Sequence, residues 1–439
     1  MDPAPARPPS LARHPDFRRL WVGDGLGQLG AQLTAFALPV YAVVHLDASA
    51  GQMGALTAAE SAAFLLIGLP AGAWVDRMRK RRTLVVADLV RAAVLAVVVA
   101  AALTGHASMP LLYGAGLVLS AATVFFDVAH QSYVPGLVGL ARIVEGNAKL
   151  QATASVAQVA GPALGGMLLR FVAAPLLIAV TVVTYVTSAL AVGRIRAVET
   201  LPSPADRRPL RTEIAEGLRF VVHQPLLRRI VACTSIGNLG GAVGGALTVL
   251  YALRVLGLDE VALGVVFSAS SIGGLAGAVL ADRVARLIGE GRSIPVSALL
   301  FPVAFALTPL AAPLAGAGVP AQLTLVVGGV LFSFGVVVYN VAQVSFRQRL
   351  CPPALLGRMN ASVRFIVWGT LPLGGLLGGW LGTHLGVVPT LWVAVGLTAA
   401  SALPVVFSPL MRMRDLAVPD SAQPGRAEPE LSAHDDVAR

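Results

Sequence analysis

The chain has 439 residues, of which 56% are hydrophobic and only 13% charged, and its mean hydropathy is +0.75. Because soluble domains carry about 25% charged residues, this composition excludes an ordinary soluble domain and indicates a membrane protein. The formal net charge of +10 would suggest a nucleic-acid partner in a soluble protein, but the distribution of the charge along this chain argues against one.

Twelve segments of mostly apolar residues are each long enough to cross the hydrocarbon core as a helix, which takes about 20 residues. They are residues 20–44, 52–75, 83–104, 109–130, 151–172, 174–193, 229–253, 260–281, 294–313, 321–345, 361–383 and 387–408. The polar, proline-rich start MDPAPARPPS contains no signal peptide, so we expect the first helix to direct insertion.

Lysine and arginine are unevenly distributed between the two sets of loops. Twenty-nine of them lie before the first helix, in the even-numbered loops and in the tail, whereas the alternate loops hold only Arg170 and Arg254. Positive residues accumulate on the cytoplasmic side of membrane proteins. We therefore expect both termini and every even-numbered loop to be cytoplasmic.

The first two helices carry polar residues within their apolar spans. Asp24, Gln28 and Gln32 recur every four residues and give helix 1 a polar stripe. Asp24 lies barely one turn into this helix, so we favour an extension of its side chain to the membrane surface over a role in proton coupling. Glu60 is the deepest carboxylate. A charge at this depth costs roughly 2.5 to 3.5 kcal/mol, which indicates either proton coupling or a structural hydrogen bond.

The loop between helices 2 and 3, within AGAWVDRMRKRR, holds five cations and one carboxylate. Gly72 precedes Asp76 by four residues, so both lie on one helix face, where the missing side chain permits close approach of a neighbouring helix. Asp76 can then pair with a cation or a helix N-terminus of another segment, while Arg77, Lys80 and Arg81 can bind carboxylates and lipid phosphates. The alternative is that these charges only fix the orientation of the chain in the membrane, which we favour for Arg79 and Arg82.

Three further charges lie in helices 3 and 4. Asp88 and Arg91 are one turn apart in helix 3, and we predict that they form a pair that supports the preceding loop. Asp127 lies near the cytoplasmic end of helix 4. It is a second candidate for proton coupling, and the alternatives are a helix cap or a salt bridge with Arg142 in the next loop.

Helix 5 contains the sequence GPALGG. Gly161, Pro162, Gly165 and Gly166 provide small residues for a tight helix contact and remove one backbone hydrogen bond at the proline. This pattern predicts either a bend that seals the cytoplasmic side or a passive kink.

The chain contains an internal repeat. The sequence PDFRRLWVGDGLGQLG at residues 15–30 matches PLLRRIVACTSIGNLG at residues 225–240, and DVAH at 127–130 matches NVAQ at 340–343. Helices 1–6 and 7–12 are therefore two copies with the same orientation, as in two-half transporters. The expected divisions are an N-terminal segment (1–19), a first six-helix bundle (20–193), a linker (194–228), a second bundle (229–410) and a disordered, dispensable tail (411–439).

Nothing in the sequence indicates a catalytic or metal site. Cys233 and Cys351 are the only cysteines and have no CxxC spacing, the seven histidines are scattered, and His130 and His384 have no spaced partners. No nucleotide-binding GxxxxGK[ST] loop occurs, so energy for any transport must come from an ion gradient. We therefore expect no enzyme activity, no cofactor and no metal.

These motifs together resemble those of the major facilitator superfamily over nearly the whole chain. GLPAGAWVDRMRKRR, ADLVRA, GPALGG and GRMNA are most similar to its branch of bacterial drug, macrolide and enterobactin exporters, and GPALGG resembles the antiporter motif of helix 5. The resemblance implies an all-α fold of twelve helices around a central cavity. It also implies that Asp76 latches the two halves in the outward-open state. The family's usual glycines are replaced by Arg79 and Ala157.

In this family helices 1, 4, 7 and 10 line the central cavity. On that basis the candidates for the cavity wall are Gln28, Gln32, Phe36, Tyr113, Phe126, Asn238, Tyr251, Tyr339, Asn340 and Gln343. Such an apolar and aromatic lining favours a bulky lipophilic or amphipathic substrate.

The sequence therefore predicts a secondary transporter of the cell membrane that exports a drug, an antibiotic or a secondary metabolite in exchange for protons. The candidate proton carriers are Glu60, Asp127 and Asp24. A solute importer of the same fold and a non-transporting membrane sensor are the alternatives. We expect the protein to act as a monomer, with a small-molecule substrate, protons and membrane lipids as its partners and no nucleic acid.

Overall fold

The computed structural model describes residues 10–139, 142–197, 199, 210–352 and 355–414. The residues expected to form the tail lie outside this range from 415 onward. Within it the chain forms fifteen α-helices, which are α1 (Pro15–His45), α2 (Ala50–Leu66), α3 (Gly68–Asp76), α4 (Lys80–Leu103), α5 (Met109–Val138), α6 (Ile143–Leu169), α7 (Ala174–Gly193), α8 (Leu210–His223), α9 (Pro225–Leu250), α10 (Glu260–Ile288), α11 (Glu290–Gly316), α12 (Ala321–Leu350), α13 (Leu356–Trp368), α14 (Thr370–His384) and α15 (Val387–Val406).

Eleven helical segments in the described residues are long and apolar enough to cross a membrane. The second predicted span consists instead of α2 and α3, which are separated at Ile67. Pro70 explains this break, because a proline cannot donate a hydrogen bond to the carbonyl group four residues earlier, that of Leu66. Pro372 has the same relation to Trp368, the last residue of α13, so the eleventh predicted span is also interrupted.

The two halves have the same internal arrangement. In the first half the helices pack side by side in the order α6, α1, α7, α4, α5 and α2, and in the second in the order α14, α9, α15, α11, α12 and α10. Helices that correspond to each other in the sequence repeat therefore occupy the same place in the two packing orders. The halves meet where α2 packs against α14 and where α6 packs against α10.

The ends of the bundle differ in charge. One end, which we call the basic end, carries residues 10–14, 77–79, 194–197, 199 and 289. We call the opposite end the far end. Contacts tie segments together at this basic end within each half: the Ser10 hydroxyl donates to Glu145 at 2.9 Å in the first half, and the Glu290 amide donates to the carbonyl of Arg414 at 3.0 Å in the second.

The halves approach most closely near the far end. A side chain added to Gly54 of α2 would lie 2.4 Å from the Cα atom of Gly379 of α14, and one added to Gly166 of α6 would lie 2.8 Å from the Cα atom of Gly264 of α10. Backbone contact of this kind requires glycine. The far end is therefore closed in this structure.

The outer surface of the bundle is apolar. Val183 is 64% exposed and Val279 is 79% exposed, and both belong to long hydrophobic helices. Exposed aliphatic side chains on this scale are stable only against lipid. Helix α8, in the predicted linker, packs on α13 and α9 of the second half, and its Glu216 pairs with Arg358.

Candidate functional site

A cavity of about 80 Å³ lies inside the first half, among α1, α4, α5 and α7. Its wall is formed by Asp24, Gly27, Gln28, Ala31, Arg91, Thr123, Phe126, Asp127 and Tyr185. The structure thus brings two of the proton-coupling candidates and two of the cavity candidates to one place.

Asp24 is buried in this cluster, with 3% of its surface exposed. The expectation that it extends to the membrane surface was wrong because α1 begins at Pro15, where the His14 ring accepts a hydrogen bond from the Phe17 amide at 3.2 Å. Asp24 is therefore the tenth residue of its helix. Its Oδ1 atom lies 3.5 Å from Nε2 of His130 on α5, a partner that the linear sequence did not indicate.

Asp88 and Arg91 form the predicted pair, with 3.2 Å between Oδ1 and Nη1. The pair does not support the loop. It is buried in the middle of the first half, where the Ser188 hydroxyl of α7 donates to Asp88 at 2.6 Å. The Arg91 guanidinium also lies 4.4 Å from the ring centroid of Phe126. These contacts join α4, α5 and α7 beside the cavity.

Asp127 makes an ion pair across the two halves. Nη2 of Arg364, on α13, donates to its Oδ2 atom at 2.6 Å, and both side chains are about one-third exposed or less. The Arg364 guanidinium lies 5.5 Å from the Phe64 ring and 5.2 Å from the Trp368 ring. The structure records the pair with Arg364 for this carboxylate, a partner that the sequence interpretation did not consider.

Sequence reasoning missed Arg364. The signal was available, because Arg364 is a cation inside the eleventh predicted span, and the insertion cost that singled out Glu60 applies equally to it. Glu60 itself is half-buried beside Gly116 of α5. It makes no hydrogen bond or ion pair to another side chain in the described part of the chain.

The loop after α3 is held within the first half. The carboxylate of Glu199 accepts from the amides of Lys80 at 2.6 Å and Arg81 at 2.9 Å, which caps the N-terminus of α4. Arg77 is exposed. The side chain of Asp76 lies outside the described residues.

No helix approaches Gly72 in the way that we expected. A side chain added there would meet no atom within 4 Å. The reason is that the halves make their closest contacts near the far end, and Gly72 lies four residues before the basic end of α3.

The helix 5 motif packs on two neighbours at once. Gly161 and Gly165 face Gln32 and Phe36 of α1, whereas Gly166 contacts α10 of the second half. Because Gly166 lies three residues before the end of α6, this contact lies at the far end and not at the basic end. The expected cytoplasmic seal would therefore require the far end to be cytoplasmic, which is opposite to the orientation that the charge bias predicts.

The remaining cavity candidates divide into two groups. Tyr251 and Tyr339 lie in the interior of the second half, at 0% and 3% exposure, and their hydroxyls bond to Pro309 and Thr234. Exposed or half-buried positions are occupied by Tyr113, Asn238 and Asn340, and the buried Gln343 donates to Asn340 at 3.2 Å.

Two packed six-helix halves, with ionizable groups paired between them and buried within the first, form the arrangement of a polytopic membrane transporter with the major facilitator fold, not of an enzyme. The sequence matches the transmembrane secretion effector family over residues 8–436. The chain belongs to this family of the major facilitator superfamily.

Three known proteins are similar to this chain, one in sequence and two in fold. The multidrug efflux pump Tap of Mycolicibacterium fortuitum is 28% identical over 418 residues, which cover 91% of this chain and 96% of the relative. The nucleoside transporter NupG has a TM-score of 0.72 at 12% identity, with 89% of this chain and 98% of that chain covered. A bacterial homologue of the iron transporter ferroportin, in its inward-facing state, has a TM-score of 0.70 at 17% identity, with 89% and 98% covered.

Proposed function

We propose that this transporter exports a lipophilic or amphipathic small molecule, such as a drug or secondary metabolite, in exchange for protons. The observation that carries the proposal is the ion pair of Asp127 and Arg364, which joins the two halves at 2.6 Å next to the buried Asp24 and His130. A protonated Asp127 no longer attracts Arg364, so proton uptake and separation of the halves are linked.

Export is the direction that the efflux activity named for the relative Tap supports. If the basic end is cytoplasmic, as the positive-inside rule predicts, the closed far end is the outer gate. A proton taken up by Asp127 from outside would then be displaced when Arg364 pairs with this carboxylate in the described state. One proton moving through about 100 mV releases about 2.3 kcal/mol, which corresponds to roughly a fifty-fold substrate gradient.

The substrate class is supported by exposed positions of α1 and α9, two of the helices expected to line the central cavity. Ala35 of α1 and Gly245 of α9 are exposed, and each lies seven residues after a polar candidate, Gln28 and Asn238 respectively, on the same helix face. These two helix faces offer small and amide side chains. The nearby cations Arg91 and Arg364 are each paired with a carboxylate, so they leave no net charge for an ionic substrate. A bulky apolar molecule is compatible with such a surface. The multidrug efflux activity named for the relative Tap supports the same substrate class.

The test uses everted membrane vesicles with an imposed pH gradient. Addition of a lipophilic cationic dye or antibiotic should collapse part of the gradient, and Asp127→Asn should abolish the collapse while the protein remains in the membrane at normal abundance. Gradient collapse that is identical in Asp127→Asn vesicles would contradict proton coupling through this carboxylate. Substrate accumulation only in right-side-out cells would instead indicate an importer, and no substrate-dependent signal in either preparation would favour the sensor.

A further inference from the structure

A second concave surface lies outside the site described above, between α1 and α6. It has a volume of about 290 Å³ and is lined by Trp21, Val22, Gly25, Leu26 and Thr153. Successive helical residues are separated by about 100°, so Val22 and Asp24 point roughly 200° apart. Because Asp24 faces the interior cavity, Val22, which is 51% exposed, and this groove face the surrounding membrane.

Cations border the end of the groove that lies toward the basic end. Arg18 is exposed, precedes Val22 by one helical turn and makes no ion pair with the described residues. Lys149 precedes Thr153 by one turn of α6, and its Nζ atom lies 5.4 Å from the Trp21 ring centroid and 3.8 Å from Oε1 of Glu145. Two cations and one carboxylate therefore border an otherwise apolar groove, which leaves a positive excess.

The groove has a fixed shape. The Trp21 indole N–H donates to the Thr153 hydroxyl at 2.7 Å, and this hydroxyl donates to the Lys149 carbonyl at 3.1 Å. At its floor a side chain added to Gly25 would lie 2.8 Å from Cγ2 of Thr153, so the glycine keeps the two helices together. Tryptophan is enriched where membrane apolar and polar layers meet, which is the position that the cations give Trp21.

We propose that this groove binds one anionic phospholipid. The acyl chain lies along Val22 and Leu26, and the phosphate lies near Arg18 and Lys149. Charge complementarity favours an anionic headgroup over a zwitterionic one, because each basic residue near the membrane surface attracts anionic lipid. The groove is open along its length to the membrane, unlike the interior cavity, and this favours a lipid over the transport substrate as its occupant.

The experiment uses the fluorescence of Trp21 and its quenching by lipids that carry bromine on the acyl chain. The chain has five tryptophans, so Trp74, Trp368, Trp380 and Trp392 are replaced by Phe to leave Trp21 as the reporter. The full-length variant is reconstituted in phosphatidylcholine with a low mole fraction of brominated phosphatidylglycerol or brominated phosphatidylcholine. A matched protein that retains only Trp380, which is 58% exposed and near the far end, reports ordinary lipid contact.

Brominated phosphatidylglycerol should quench Trp21 at about a tenfold lower mole fraction than brominated phosphatidylcholine does, whereas Trp380 should show no preference. Arg18→Gln with Lys149→Gln should remove the preference and leave quenching by phosphatidylcholine unchanged. Val22→Phe, which fills the groove, should weaken quenching by both lipids. Equal quenching of Trp21 by the two lipids in the parent protein, or a preference that survives the double Gln variant, would overturn the proposal. So would displacement of the brominated lipid by a transported drug.

Discussion

Asp127 and Arg364 are 237 residues apart in the chain, yet their side chains meet between the two halves. Each is only partly shielded from water, at 32% and 26% exposure, and the guanidinium is also bordered by two aromatic rings. A contact of this kind must be broken for the halves to separate. Its strength therefore sets part of the balance between the two states of the transporter.

Arg364→Gln should reduce proton-coupled efflux by about tenfold, because the removal of one partner of a shielded ion pair costs roughly 1–3 kcal/mol in the state that contains it. Efflux and substrate binding are measured on the same reconstituted protein, and binding should be retained. The matched control is Arg349→Gln, which breaks an exposed ion pair with Glu290 at the basic end and should change efflux less than about twofold. Equal losses in both variants would show that the inter-half pair has no special role.

Gly72→Val tests the latch predicted from the loop sequence. The added side chain meets open space in the described state but would block a close approach of the halves at the basic end. We expect at least about a fivefold shift in population toward the described state, measured as a longer distance between spin labels across the basic end. Arg82→Ala, at an exposed position in the first turn of α4, should leave the distances unchanged. An unaltered distance distribution and efflux rate in Gly72→Val would contradict the latch.

At the scale of elements, helices α2 and α14 close the far end through their glycines. Gly54→Leu inserts a branched side chain where only 2.4 Å separates an added Cβ atom from the backbone of α14. The far end should open, and distances between labels across it should lengthen, with a loss of efflux of about tenfold because the gate no longer closes.

The matched control for this gate is Gly396→Val on α15, where an added side chain meets nothing within 4 Å. This variant should behave as the parent protein in both distance and efflux measurements. If Gly54→Leu gave the parent's distances as well, the glycine contact would not be what closes the far end.

At the scale of the whole molecule, the charge bias predicts the orientation in the membrane. Both native cysteines are buried, at 1% and 5% exposure, so Cys233→Ser with Cys351→Ser provides a background without reactive thiols. Arg82→Cys at the basic end should react with a membrane-impermeant maleimide only in everted vesicles. His106→Cys, in the far-end loop between α4 and α5, should react only in intact cells. The reverse labelling pattern would invert the proposed direction of transport.

Much of the architecture could be predicted from local sequence. The apolar runs predicted the membrane-spanning segments, and the repeat predicted two similar halves, because hydrophobic length and chain self-similarity are properties of contiguous residues. The division of the second span into α2 and α3 was also encoded locally, in Pro70. The prediction of a single span missed it because hydropathy does not register the lost hydrogen bond.

The sequence by itself determined that this is a membrane protein of two repeated bundles with a strongly basic end, because those features depend on composition and on short segments. Only the tertiary structure decided which buried charges are partners. The contacts of Asp24 with His130 and of Asp127 with Arg364 join different helices, and their side chains meet only when those helices are rotated and packed. A rotation of about 100° per residue likewise separates Tyr339, turned into its own half, from the exposed Asn340, a difference that composition cannot specify.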